Sequence, residues 1–176
     1  SRFYRRALAR KPSYGRHCGL FRQVSNTVDF IELSSVDLPA CLMLSRHSDP
    51  YPWQDENWRR SLRDDYCFAL REGSGLIAIA AFSLVLDELS LLNIIVSDKQ
   101  RGRGLGRQLL CDGLEWMQQI GAQRCFLEVR ESNVPARALY RALGFTEDGI
   151  RKNYYPSANG REDAILMSTP LPLYTG

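Results

Sequence analysis

The segment Arg101-Gly102-Arg103-Gly104-Leu105-Gly106-Arg107 carries the strongest chemical signal in the chain. It joins an apolar, strand-like run, Leu91–Val96, to a stripe at helical spacing, Leu105, Leu109, Leu110, Leu114 and Met117. Glycines in such a turn let the backbone approach a ligand closely, and the first N–H groups of a helix have no partner inside it. The helix dipole and the arginines add favourable charge for an anion. The turn therefore suits a phosphate or pyrophosphate; the plain alternative is a glycine-rich turn with solvated arginines. No Gly-Lys-Ser/Thr ending marks a triphosphate loop, and glycines at 102, 104 and 106 do not form Gly-x-Gly-x-x-Gly. The turn also follows several strands, whereas a dinucleotide fold opens with it.

Proton-carrying groups follow. Glu128 lies near the end of Cys125-Phe126-Leu127-Glu128-Val129, an otherwise apolar strand pattern. Its position leaves two roles open: a general base acting directly or through one water, or a strand-end carboxylate paired with Arg130 or another basic residue. Tyr140, on the next helical pattern, can donate a proton or simply fill the core. Asn133 is placed to cap that helix. Tyr154, Tyr155, Glu162 and Asp163 share a polar stretch. Aromatics and acids together suit a peptide containing Arg and aromatics, through stacking and charge-assisted bonds. A solvated hairpin loop is the alternative.

The elements that must position these groups fit one domain. The chain has 176 residues, 44% hydrophobic and 24% charged. No apolar run approaches the roughly 18 residues of a membrane span, and no apolar segment follows the basic N-terminus as in a secretory signal. The net charge of +3 is unevenly distributed. Arg2, Arg5, Arg6, Arg10, Lys11, Arg16 and Arg22 precede the first acid, Asp29, so the body is slightly acidic. That argues against direct nucleic-acid binding by the body. Five cysteines without a Cys-x-x-Cys pair, and only His17 and His47, predict reduced thiols in a cytoplasmic protein with no metal site.

The pattern predicts β-α-α-β-β-β-α-β-α-β-β. Strand 30–33 precedes a first helix after Ser35. Asp49-Pro50-Tyr51-Pro52-Trp53 breaks it, because prolines cannot sit inside a helix. A helix over 55–63 leads to strands 66–70, 76–86 and 89–96. Helix 105–121, strand 125–129, helix 134–143 and strand 145–150 come next. A polar loop, 153–163, precedes a last strand, 164–167. The expected fold is α/β, a mixed, largely antiparallel sheet flanked by helices. Residues 1–27 are expected to form a loosely ordered basic arm, and 28–176 a single domain.

Arg101-x-x-Gly104-x-Gly106 matches the (Gln/Arg)-x-x-Gly-x-(Gly/Ala) motif of the GNAT superfamily of N-acetyltransferases. Leu127-Glu128-Val129-Arg130, Ala138-Leu139-Tyr140, Asn153-Tyr154-Tyr155-Pro156 and Gly160-Arg161-Glu162-Asp163 resemble its bacterial ribosomal-protein alanine N-acetyltransferases. The likeness runs from about Phe30 to Pro170 and implies a GNAT-like sheet. It implies that acetyl-CoA is the acetyl donor, its pyrophosphate held by Arg101, Gly102, Arg103, Gly104, Leu105, Gly106 and Arg107. Ile95, Val96, Asn133 and Tyr140 would line the rest of the cofactor. It further implies Glu128 as base, Tyr140 as acid toward the departing sulfur, and a backbone N–H on Asn93–Val96 as oxyanion donor. Tyr154, Tyr155, Glu162 and Asp163 would bind the substrate, the N-terminal alanine of the eighteenth small-subunit ribosomal protein. An α-amino group loses its proton about 2.5 pK units more easily than lysine, on the order of 3 kcal/mol, which favours an N-terminal substrate. A lysine or small-molecule amine, or a non-catalytic acyl-CoA-binding module, remains the alternative. Ser1-Arg2-Phe3-Tyr4-Arg5-Arg6 is itself similar in kind to such a substrate, so the arm is expected to be either a pseudo-substrate or simply a mobile arm, one able to touch ribosomal RNA.

Overall fold

The computed structural model describes residues 27–173, so nearly all of the expected arm lies outside the described residues. Its strands are β1 (Val28–Glu32), β2 (Tyr66–Glu72), β3 (Gly75–Val85), β4 (Glu88–Val96), β5 (Arg124–Arg130), β6 (Thr146–Ser157) and β7 (Gly160–Pro170). Its α-helices are α1 (Leu38–Ser48), α2 (Asp55–Asp64), α3 (Leu105–Gln119) and α4 (Val134–Ala142). One seven-stranded sheet has the order β1-β2-β3-β4-β5-β7-β6. Short turns at Gly73-Ser74 and Leu86-Asp87 make β2, β3 and β4 an antiparallel meander, and β1 pairs antiparallel with β2 after the α1–α2 connection. Only β4 and β5 run parallel, joined by the α3 crossover.

Two layers sandwich the middle of the sheet. Leu105, Leu109, Leu110, Leu114 and Met117 of α3 pack on Phe68, Phe82 and Leu89. Cys41 and Leu44 of α1, with Trp58 and Leu62 of α2, pack on Cys67, Ala69, Ile79 and Ala81. Strands covered on both faces need apolar residues at successive positions, and Ala78 through Phe82 are all buried. No helix among the described residues is long and apolar enough to cross a membrane.

The first helix begins slightly later than its pattern suggests. A 3-10 turn, Ser35–Asp37, precedes it, and Asp37 reaches back to the Ser34 N–H at 2.8 Å in a capping box.

The main correction concerns 153–163, expected as a polar loop. Both arms of that stretch are strand, turning at Ala158-Asn159. β6 is an edge strand, so Pro156 forfeits no ladder bond there, and polar residues face solvent without penalty. Asn153, at φ +51°, bulges out of register between Arg151 and Tyr155. The Arg161 guanidinium donates to the Asn153 and Tyr154 carbonyls at 2.7 and 2.6 Å, bridging the gap in the ladder. Tyr154, Tyr155, Glu162 and Asp163 therefore sit on a hairpin of defined register.

One irregularity shapes the site. β4 and β5 pair only from Glu88↔Arg124 to Leu91↔Leu127, although both strands continue. Leu92 is an extra residue in β4, since Phe82 pairs with Leu91 and Ala81 with Asn93. Beyond it the two parallel strands part.

The distance of α3 from the sheet is set by Gly113, where a Cβ would come within 3.1 Å of the buried Phe82 ring. Gly113→Ala gains up to about 1 kcal/mol in helix propensity but overpacks by roughly 1–3 kcal/mol. We expect a net loss of about 1 kcal/mol in urea unfolding; equal or greater stability would show that Phe82 yields freely.

Candidate active site

The glycine turn stands at the open end of β4. Gly102 and Gly104 have φ of +79° and +73°, and a Cβ on either would meet nothing within 4 Å. Their need for glycine is conformational, and the space before them is open. Gly106 differs. Its Cβ would lie 3.4 Å from Leu139 and 3.5 Å from Val96, so its smallness seats the first turn of α3 against α4 and β4. Gly104 caps α3 without a side chain, and the first helical bond runs from the Gln108 N–H to the Gly104 carbonyl. The N–H groups of Leu105, Gly106 and Arg107 thus have no acceptor within the helix. This cradle fits a pyrophosphate.

The arginines divide their roles. Arg101 donates to the Ser48 carbonyl at 2.6 Å. Arg103 pairs with Glu72 at 3.0 Å and also bonds Gln100. Arg107 stands exposed on the first turn. Two of the arginines expected to face an anion are therefore engaged by protein groups.

Across the gap, Leu127 and Val129 point into the α3 core, so Glu128 and Arg130 point to the opposite face. Register continues that face through β7 to β6: Glu128↔Leu166↔Gly149 and Arg130↔Ala164↔Arg151. Glu128 pairs with Arg151, two strands away, at 2.7 Å. The expected partner, Arg130, instead binds Glu162 at 2.8 Å and the Pro156 carbonyl at 2.7 Å. Its guanidinium lies over the rings of both Tyr51, 3.7 Å away, and Tyr155, 4.5 Å away. Arg151 lies over Tyr154 at 4.8 Å, and the two tyrosines meet edge to face.

Tyr140 is buried beside Phe145. Burial, then Cys125 and Tyr155, raises its phenol above the ordinary value. Tyr155 is pushed up to about 12, mainly by burial and then by Glu128 and Tyr154. Tyr155 thus couples electrostatically to both Glu128 and Tyr140, and both phenols keep their protons at neutral pH. Burial also pushes the Cys41 and Cys125 thiols up to about 12, so neither supplies a thiolate nucleophile. Cys41, Cys67 and Cys125 are buried and in no disulfide.

The acids on the hairpin are already paired. Glu162 also accepts from the Ser132 N–H at 3.3 Å, while Asp163 binds Lys152 at 2.7 Å and the Asn153 N–H at 2.8 Å. Both are held below their ordinary values by these bonds. They build the hairpin wall; the exposed Tyr154 is free to meet a ligand. Asn133 does cap α4, accepting from the Ala136 N–H at 3.3 Å. Ile95 is buried under α1 and α2, and Val96 is half-buried at the mouth of the gap. Sequence reasoning missed Tyr51 and Arg151. Tyr51 reads only as part of a proline-flanked break, and no local spacing links Arg151 to Glu128.

Parting parallel strands, with an open helix N-terminus on one side and the Glu128 face on the other, give an arrangement suited to acetyl transfer. The sequence model of the Acetyltransferase (GNAT) family matches residues 29–145, and the chain belongs to that family. It is 38% identical over 149 residues to the ribosomal protein bS18-alanine N-acetyltransferase of Escherichia coli K12, covering 84% of this chain and 99% of that one. The crystal structure of the ribosomal-protein-S18-alanine N-acetyltransferase from Escherichia coli superposes with a TM-score of 0.79 at 37% identity, covering 82% of this chain and 94% of that chain. Arabidopsis thaliana NAA60 in complex with acetyl-CoA shares the fold, with a TM-score of 0.74 at 18% identity over 82% of this chain and 99% of that one.

The Arg130–Glu162 pair gives a pH test. A carboxyl lowered in the native state stabilises above its unfolded pKa, and that stability is lost as pH falls through the native value. Between about pH 5 and about pH 3, Glu162→Gln should therefore lose less unfolding free energy than the wild type. Equal acid slopes would uncouple this pair from folding.

Proposed function

We propose that this chain transfers the acetyl group of acetyl-CoA to the N-terminal alanine of ribosomal protein bS18, by direct attack in a ternary complex. The parting of β4 and β5 carries the reading, because it leaves a slot between the anion cradle and Glu128. The relatives named for bS18 acetylation support the choice of substrate.

Acetyl-CoA supplies an activated thioester carbonyl. The open amides of α3 and the glycine turn hold its pyrophosphate. Past Leu91, alternate β4 amides face the gap that β5 has left, and one of Asn93–Val96 donates to the developing oxyanion. Glu128 takes the proton that the α-amino group must lose, directly or through one water. The new N–C bond forms as the C–S bond breaks, and Tyr140 gives its proton to the leaving sulfur. Burial keeps that phenol protonated until it is needed. The raised Cys41 and Cys125 thiols argue against either as an acyl-cysteine nucleophile.

Mass spectrometry of bS18 incubated with this protein and acetyl-CoA should show one added acetyl group on the N-terminal alanine. Acetylation of lysines alone would overturn the reading. Glu128→Gln and Tyr140→Phe should each lower kcat about 100-fold or more; near-normal turnover in both would remove their assigned roles.

A further inference from the structure

We infer that Arg101, though it lies in the cofactor turn, is a positioning residue for the peptide: it fixes the 49–53 loop so that Tyr51 closes over Arg130 as one wall of the peptide site. This rests on the peptide substrate proposed above.

The contacts run in an unbroken series. Ser48 is the last residue of α1 and is buried. Arg101 donates to its carbonyl at 2.6 Å, and the Asp98 N–H donates to its hydroxyl at 3.2 Å. A guanidinium at a helix C-terminus also meets the negative end of the dipole. The pyrophosphate turn thus holds the point where α1 stops and the loop starts. Asp49 then accepts from the Tyr51 N–H at 2.8 Å, a local turn that sets the direction of the tyrosine. At the far end, Trp53 packs on the buried Trp58 at 5.0 Å. Arg46 and Asp55, flanking the loop, pair at 2.6 Å.

Pro50 and Pro52 have no N–H to donate, so the loop relies on these few anchors. Held this way, Tyr51 lays its ring against the Arg130 guanidinium, which Tyr155 also contacts. Arg130 is itself fixed by Glu162 and Pro156, and it shares a sheet face with Glu128. Tyr51 therefore bridges the α1–α2 loop and the strand that carries the base. It remains 45% exposed, leaving aromatic surface for an arginine or aromatic side chain that follows the reacting amine.

Steady-state kinetics and acetyl-CoA titration calorimetry on the full chain test this, with a peptide that begins Ala-Arg and continues with aromatics. Arg101→Met, which keeps the length but no donor, should raise the peptide KM about fivefold or more and leave the acetyl-CoA Kd within about twofold. Tyr51→Ala should do the same, and the double variant should be no worse than Tyr51→Ala alone. Arg101→Gln, which retains an N–H donor without charge, should restore most of the loss. The intact acetyl-CoA Kd doubles as proof of folding. The inference is overturned if Arg101→Met weakens acetyl-CoA and leaves the peptide KM unchanged, if Gln is as poor as Met, or if the two losses multiply. A wild type that acetylates no peptide would instead overturn the proposed function, and this inference with it.

Discussion

The functional half of this molecule depends on a ladder that stops. β4 and β5 share four register positions, ending at Leu91↔Leu127, and then separate while each remains a strand with its outer neighbour. Unpaired amides inside a sheet are unfavourable unless a ligand or water takes their place. The Leu92 bulge falls where this pairing stops. Parallel direction then matters. Two parallel strands end at the same edge of the sheet, and the chain can join them only by a crossover. Here the crossover is α3, so its N-terminus lies beside the gap by topology alone. Anion cradle and slot are thus two consequences of one connection.

The other wall is built differently. α1, α2 and α3 bury the middle of the sheet in apolar contacts, whereas the Glu128 face of β5, β7 and β6 is held by ion pairs and ring stacks. Glu128–Arg151 and Arg130–Glu162 cross between strands on this face, and Lys152–Asp163 crosses on the other. Pairs with an exposed partner, such as Glu128–Arg151 and Lys152–Asp163, add little stability singly. Their effect is positional: each fixes a long side chain that would otherwise sample many rotamers, as a site needing defined geometry requires.

Much of this was legible in the sequence where a single element carries the signal. The α3 stripe, the glycine turn and the Asn133 cap are local patterns, and each lies where its spacing put it. The hairpin was not legible, because Asn153, Pro156 and Gly160 are turn-forming residues that an edge strand tolerates. Nor was the partner of Glu128. Arg130 is the neighbour in sequence, but strand alternation aims both side chains along one face toward β7 and β6, where Arg151 and Glu162 wait. Tyr51 was illegible for the same reason: its partner is set by how the α1–α2 loop folds over β5, not by any spacing near it.

The spacing of the glycine motif also acquires a physical reading. At 104 the backbone is left-handed, so any side chain is strained, and only glycine serves. At 106 the backbone is helical and a Cβ would make contacts of 3.4 and 3.5 Å, close but not forbidden, so alanine is tolerable. A motif written Gly-x-(Gly/Ala) follows from those two positions alone. Its first position follows too. A phosphate ligand would select arginine over glutamine for its charge, whereas a donor to a main-chain carbonyl need only carry an N–H, as both residues do. In this chain Arg101 is bound to the Ser48 carbonyl, a bond that ties the turn to α1.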